Sequence, residues 1–233
     1  MPRLHYVLRG IKSEEAKHQT PTKQRLPVTP AILLKLYSVL LDDPSIFDNI
    51  MIWAAPLVCF FGFLRSGEIT IPSVTAYDAS THLSPSDISA NVPSQPTVVQ
   101  LRLKQSKTDP FRQGVNIYLG ATNCTLCPVT ALLNFLAIRG QADGPLFHFQ
   151  DLTPLTKQRF TSKFRSLLQR VGIDSSQYSG HSFRIGAASM AAANGVEDSL
   201  IQTLGRWKSS AYLIYVRIPP SNLAAISRQL CHN

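Results

Sequence analysis

Three arginine-bearing motifs stand far apart in this chain, each with its polar group at the edge of an otherwise apolar stretch. The first is Phe63-Leu64-Arg65-Ser66-Gly67-Glu68, where a carboxylate three places after a guanidinium is spaced to orient it. Taken alone, Arg65 reads as a cation facing the C-terminal dipole of the helix it ends. The second is Ser179-Gly180-His181-Ser182-Phe183-Arg184, continuing as Ile185-Gly186-Ala187-Ala188-Ser189. Ser179 or Gly180 caps a helix whose small residues imply very close packing, and His181 and Arg184, three apart, project from one face of its first turn. A positive charge there opposes the helix macrodipole, so Arg184 suggests an anion nearby. The third is Leu204-Gly205-Arg206-Trp207, leading to Tyr212 and Tyr215. One of those two tyrosines is expected simply to belong to the apolar side of a helix.

The composition agrees with an anionic partner. The chain has 233 residues, 44% of them hydrophobic, which excludes a disordered or fibrous protein. Lys and Arg number 23 against 14 Asp and Glu, a formal charge of +9, and such a surplus favours a polyanion, most often nucleic acid. The longest apolar run, 51–63, contains Pro56 and is too short to cross a bilayer; no membrane partner is expected. The first twenty residues are polar and charged, unlike a signal peptide. Four cysteines without regular spacing point to a reducing compartment. Cys124 and Cys127 have the spacing of half a zinc site, but no second pair follows, so no structural metal is expected. His82, His148 and His232 read as surface or loop residues.

The elements that must position these residues follow from periodicity. Residues 1–28, rich in Lys and Arg, read as a linker or arm, and 29–233 as one domain. A helix starts at Thr29-Pro30 with Ile32, Leu33, Leu36 and Leu40 on one face, and a helix over 46–64, apolar nearly all round, forms the centre. Residues 77–97 read as loops and short extended pieces. Alternation at Val98, Leu101 and Leu103, then at Val115, Ile117 and Leu119, predicts a β-hairpin whose tip carries Lys104, Lys107 and Arg112 against Asp109. Beyond Pro128 the periods predict helices over 128–139, 156–171, 181–194, 197–204, 208–216 and 221–230. The expected fold is mainly α with a small antiparallel β-sheet (α+β).

Arg65 with Glu68, the basic hairpin reading Gln105-Ser106-Lys107-Thr108, His181 with Arg184, and a Gly-x-Trp followed by a tyrosine occur in an order that resembles the tyrosine recombinase (phage integrase) family. The resemblance runs from about residue 25 to the C-terminus. In its details (Ser106-Lys107-Thr108-Asp109, Cys127-Pro128, Gly205-Arg206-Trp207) it is most similar to the recombinases of eukaryotic mobile elements such as the DIRS-like and Crypton groups. It implies a partner, double-stranded DNA, and an activity, strand breaking and rejoining through a 3′-phosphotyrosine. That chemistry conserves the phosphodiester bond energy, so neither ATP nor a metal cofactor is required. Arg65 and Arg184 would stabilise the charge that builds on the phosphate. Lys107, with Lys104 as fallback, would protonate the leaving 5′-oxygen. His181 would assist proton transfer or hold the phosphate, Trp207 would donate from its indole and pack the site, and Glu68 would orient its neighbours. The family's tyrosine follows the Gly of the Leu-Gly motif by ten positions, which from Gly205 selects Tyr215 over Tyr212. Lys104, Arg112, Lys208 and Arg217 complete the expected DNA-binding set.

Two departures bear on this reading. The residue after Gly205, a His or Trp position in most relatives, is Arg206, with Trp207 one place later, so Arg206 could share that role. The family also resembles a clamp with an N-terminal core-binding domain, whereas only a short arm precedes the catalytic domain here. A separate core-binding domain, a fragment of a longer recombinase, and a protein that no longer recombines all remain open. The resemblance implies a dimer or tetramer on DNA, with the helix at 221–230 docking on a neighbour, and nuclear localisation if the source is eukaryotic, otherwise cytoplasmic and nucleoid-associated. Two other functions stand beside recombination: a catalytically silent DNA-binding module, and a type IB topoisomerase-like nicking and closing enzyme.

Overall fold

The computed structural model of the protein describes residues 24–40, 46–92, 95–106, 109, 111 and 113–217. The arm up to residue 23, Lys107, Arg112 and the helix expected at 221–230 lie outside the described residues. Thr29 caps the first helix as its position suggests, its Oγ1 accepting the Ile32 N–H at 3.3 Å, and Pro30 opens α1 (Pro30–Leu40). Leu33, Leu36 and Leu40 are buried on one face of α1, and Ile32 packs against the core from its edge. The central helix α2 (Ile46–Phe61) ends three residues before the expected 64. Met51, Ala54, Ala55, Leu57, Val58 and Cys59 are wholly inaccessible, so α2 forms the middle of the domain. It packs against α4 (Pro128–Arg139) and α6 (His181–Ala193).

Between α2 and α4 come a four-residue helix α3 (Ser66–Ile69), a 3-10 turn at Pro85–Asp87, and an antiparallel sheet in the order β1 (Ile88–Ala90), β2 (Val98–Leu103), β3 (Val115–Gly120). The β2–β3 register pairs Leu103 with Val115 and Val98 with Gly120. Inward positions are Val99, Leu101 and Leu103 on β2 and Ile117 and Leu119 on β3. Val98 is therefore on the opposite face from the core set, because strand side chains alternate strictly. The helices α5 (Lys157–Arg170) and α7 (Asp198–Gly205) complete the fold, with a 3-10 turn at Ser210–Ile214 where the sequence predicts a helix over 208–216.

Residues 24–28, which the composition assigns to the arm, pack into the domain. The Leu26 and Val28 N–H groups donate to the Gln177 and Ser182 carbonyls at 3.0 and 2.9 Å, and Val28 is fully buried. This contact accounts for the small residues of α6, since a Cβ at Gly186 would lie 1.8 Å from the Val28 carbonyl oxygen. A backbone oxygen cannot yield as a side chain can. Gly186→Ala should therefore destabilise the protein by about 3 kcal/mol, the upper end for overpacking, despite alanine's better helix propensity. Urea unfolding checks this, and a loss of unfolding free energy under about 1 kcal/mol would contradict the close approach.

Candidate active site

The site grows from the ends of two helices. Helix α2 stops at Phe61 because the chain turns into a Schellman motif: the Leu64 N–H donates to the Cys59 carbonyl at 2.9 Å and the Phe63 N–H to the Phe60 carbonyl at 3.2 Å. Phe63 takes the left-handed position at φ 50°, a conformation that costs a non-glycine residue about 1–2 kcal/mol. Arg65 thus lies beyond the buried helix and stands at the N-cap of α3, which corrects the expectation that it ends α2. Helix α7 ends in the same way. The Trp207 N–H donates to the Gln202 carbonyl at 3.0 Å and the Arg206 N–H to the Thr203 carbonyl at 2.9 Å, with Arg206 left-handed at φ 56°. Gly205 is required because the Trp207 indole folds back over it, leaving no room for a Cβ.

Arg184 joins these two ends. Its guanidinium donates through Nη1 to the Phe63 carbonyl and through Nη2 to the Gly205 carbonyl, so the negative poles of α2 and α7 both meet it. The side chain is wholly inaccessible, and the Trp207 ring stacks on it at 4.0 Å. His181, in contrast, is exposed at the start of α6, so the two residues expected on one face divide between surface and core. Gly180 brings this helix start against α3, where a Cβ would lie 2.1 Å from Ser66 Oγ.

Glu68 organises the other two arginines. One carboxylate oxygen accepts from Arg65 Nη1 at 3.0 Å, and the other from Arg206 Nη2 at 2.7 Å and from the Arg65 backbone N–H at 2.8 Å. The i,i+3 pairing with Arg65 agrees with the sequence; that with Arg206 joins distant segments. Arg206 also reaches toward the Gly62 carbonyl at 3.4 Å and the Phe63 carbonyl at 3.5 Å. Three guanidiniums therefore gather around one carboxylate. Burial first, then repulsion from Arg65 and Arg206, pushes Arg184 down to about 9, with Glu68 and Tyr215 opposing, so it remains charged at neutral pH. Burial likewise lowers Arg206, against the attraction of Glu68. The Nε–H groups of Arg184 and Arg206 are buried without a hydrogen-bond partner.

The two tyrosines differ in surroundings. The Tyr215 ring lies 5.0 Å from Trp207 and 5.6 Å from the Arg184 guanidinium. Its backbone is pinned by Ser189, whose hydroxyl donates to the Tyr215 carbonyl at 3.2 Å and accepts from the Arg217 N–H at 2.8 Å. Tyr212 is buried and its hydroxyl bonds Asp198, which raises its pKa, with burial and the aspartate's charge adding to the effect.

A cleft of about 330 Å³ opens beside this cluster, lined by Arg65, Gly67, Glu68, Thr81, His82, Gln105 and Ser106. The residues just before Lys107 thus approach Arg65. Asp109 accepts the Gly114 N–H at 2.8 Å, which lowers its pKa first, and Lys208 adds to the lowering. The hairpin tip therefore comes within electrostatic reach of the turn after Trp207. Lys104 is bound within the domain, pairing with Asp87 at 2.6 Å and donating to the Ala79 carbonyl at 2.8 Å. Arg217 folds onto the Ile214 and Val216 carbonyls, and Lys208 is exposed.

Ser189 and His82 are the residues that periodicity overlooks. His82, expected at the surface, lines the cleft half-buried, its Nδ1 accepting the Asp78 N–H at 3.0 Å. His148 is buried rather than superficial, stacked on Phe47 with centroids 5.5 Å apart. Among the described residues no group of three or more His, Cys, Asp and Glu is arranged to hold a metal, and no helix is long and apolar enough to cross a membrane.

No protein-family model and no curated protein matches the chain. Solved structures do. The XerA recombinase superposes with a TM-score of 0.63 over 91% of this chain and 66% of its own, at 18% identity. XerH bound to palindromic difH substrate, a post-cleavage complex, gives 0.66 over 89% of this chain and 53% of its own, at 15% identity. A lambda integrase dimer bound to a COC′ core site gives 0.58 over 87% and 51%, at 17% identity. The fold is that of a tyrosine recombinase catalytic domain. The chain spans about half to two thirds of the length of these structures. As in the sequence expectation, the tyrosine recombinase fold here is mainly α with a three-stranded antiparallel sheet.

Proposed function

We propose that this chain is the catalytic domain of an enzyme that breaks and rejoins double-stranded DNA in site-specific recombination, with Tyr215 as nucleophile. The observation that carries this reading is the cation cluster: Arg65, Arg184 and Arg206 around the single carboxylate of Glu68, with two orphaned Nε–H groups and Tyr215 alongside. A surplus of buried positive charge calls for an anion, and a phosphodiester supplies it. Tyr215 Oη attacks the phosphorus, the P–O5′ bond breaks, and the 5′-oxygen takes a proton from Lys107. The phenolic proton passes to His181 or to solvent. Arg65, open to the cleft, meets the phosphate first, and Arg184 does so once the segment carrying Trp207 and Tyr215 lifts from it. Arg206 acts through Glu68 as a positioning residue, while Trp207 packs Arg184.

Neighbouring structures support the DNA partner, since XerH is bound to its difH substrate and the lambda integrase dimer to a core site. The mobile-element subgroup, assembly into a dimer or tetramer, a separate core-binding domain and a nuclear location, if the source is eukaryotic, complete the proposal. One observation favours a second reading, a silent DNA-binding module: Arg184 is sealed under Trp207 with both Nη groups engaged. A nicked suicide duplex carrying the element's terminal sequence decides between them. A covalent adduct on a denaturing gel is the expected result. Tight binding without adduct, even with a core-binding domain supplied, would favour the silent module. Exchange between two labelled duplexes separates recombination from topoisomerase-like relaxation.

A further inference from the structure

Away from the arginine cluster, the link between β3 and α4 holds two thiols on one turn. The Cys127 N–H donates to the Cys124 carbonyl at 3.1 Å, which closes a reverse turn and brings the two Cα atoms within about 7 Å, the range a disulfide spans. Both sulfurs also meet the same residue: Thr122 Oγ1 lies 3.4 Å from Cys124 Sγ, and the Thr122 N–H donates to Cys127 Sγ at 3.3 Å. The two differ in access, Cys124 being exposed and Cys127 only 4% accessible. Cys127 is the N-cap of α4, its sulfur accepting from the Thr130 N–H at 3.4 Å and the Thr130 hydroxyl at 3.2 Å. Burial alone would raise this thiol, but the hydrogen bonds from Thr130 and Thr122 outweigh it and the net shift is downward, toward the thiolate. Beside the pair lies a cleft of about 300 Å³, walled by Tyr37, Trp53, Asn49 and Asn134.

We propose that Cys124 and Cys127 form a redox-active dithiol that reduces small-molecule disulfides of the glutathione class and closes to an intramolecular disulfide. Cys124, as thiolate, attacks one sulfur of the incoming disulfide, expels one thiolate and forms a mixed disulfide. The Cys127 thiolate then attacks Cys124 Sγ and expels the second. Two protein thiols are oxidised, the small disulfide is reduced to two thiols, and the protons pass to the departing thiolates. Closure withdraws the sulfur cap from α4 and staples the β3–α4 link. Cys59 takes no part, being wholly buried in α2 with its thiol pushed up by burial and by Glu68. This inference is independent of the strand-transfer reading.

The test uses the full reduced chain, incubated with oxidised glutathione, quenched in acid, alkylated under denaturing conditions and mapped by peptide mass. The expected result is joint loss of the thiols at 124 and 127, a Cys124–Cys127 linked peptide, and recovery of both thiols with dithiothreitol. In Cys127→Ser the mixed glutathione adduct should accumulate on Cys124. Mapping of the unmutated chain decides the matter even where that variant fails to fold. A stable glutathione adduct on unmutated Cys124, pairing of either residue with another cysteine, or two unreacted thiols would each overturn the proposal.

Discussion

Tyr215→Phe is expected to remove the covalent protein–DNA adduct completely, and Tyr212→Phe to leave it. The difference follows from what each phenol touches. Tyr215 stands beside Trp207 and 5.6 Å from the Arg184 guanidinium, and Ser189 holds the Tyr215 carbonyl and the Arg217 N–H. A guanidinium fixed beside the phenol can stabilise the negative charge that builds on the phosphate as the P–O bond forms. The Tyr212 hydroxyl instead bonds Asp198, and that bond, burial and the aspartate's charge raise its pKa. A phenolate there would face a carboxylate. Tyr212→Phe sacrifices one hydrogen bond, about 1 kcal/mol of stability, and no chemistry. Denaturing gels of both variants on the suicide duplex read the outcome. An adduct that survives Tyr215→Phe and disappears in Tyr212→Phe would reverse the assignment.

Glu68→Ala should cost about 3–5 kcal/mol, because it leaves the guanidiniums of Arg65, Arg184 and Arg206 with no carboxylate among them in a largely buried pocket. The cluster then carries three positive charges where it carried a net two. Glu68→Gln keeps an acceptor for the arginines without the charge and should fall between Ala and wild type. Added sulfate offers a separate readout. An anion that binds the native cluster raises stability by mass action, so sulfate should lift the unfolding midpoint of Glu68→Ala more than that of wild type. Equal salt responses, or an alanine variant as stable as wild type, would mean that the carboxylate is not what holds the arginines together. Urea titrations with and without sulfate make the comparison.

Local signals explain which parts of this arrangement could be read in advance. The start of α1 was legible because Thr29 and Pro30 act within one turn, and the Arg65–Glu68 pair because it is an i,i+3 contact. The end of α2 was not, because its left-handed residue is Phe63 rather than a glycine, and apolar residues continue past the last helical residue. Arg184 was legible as a residue that seeks negative charge, but what it finds here are the Phe63 and Gly205 carbonyls, 121 and 21 residues away. No periodicity reports such a partner. The same holds for Arg206, whose carboxylate lies 138 residues earlier, and for His82, which reaches the cleft only through the path of the 77–87 loop. The turn at Ser210–Ile214 has helical spacing in sequence yet is wound as a 3-10 segment, with Ser209 accepting the Ala211 N–H at 3.3 Å.

The carbonyls that seat Arg184 belong to the ends of two helices, which Arg206 also joins by reaching toward the Gly62 and Phe63 carbonyls. Opening one end strands the guanidinium, and a stranded charge weakens the other end, so the two should open together. The segment from α7 to Tyr215 then behaves as a single cooperative unit keyed to the tip of the central helix rather than as a fraying tail. In native-state hydrogen exchange, the amides of Arg206 and Trp207 would share an opening free energy with those of Phe63 and Leu64, although more than 140 residues separate them in sequence. Whatever frees Tyr215, the proposed nucleophile, also loosens the last turn of the core, which couples exposure of that tyrosine to the integrity of the domain.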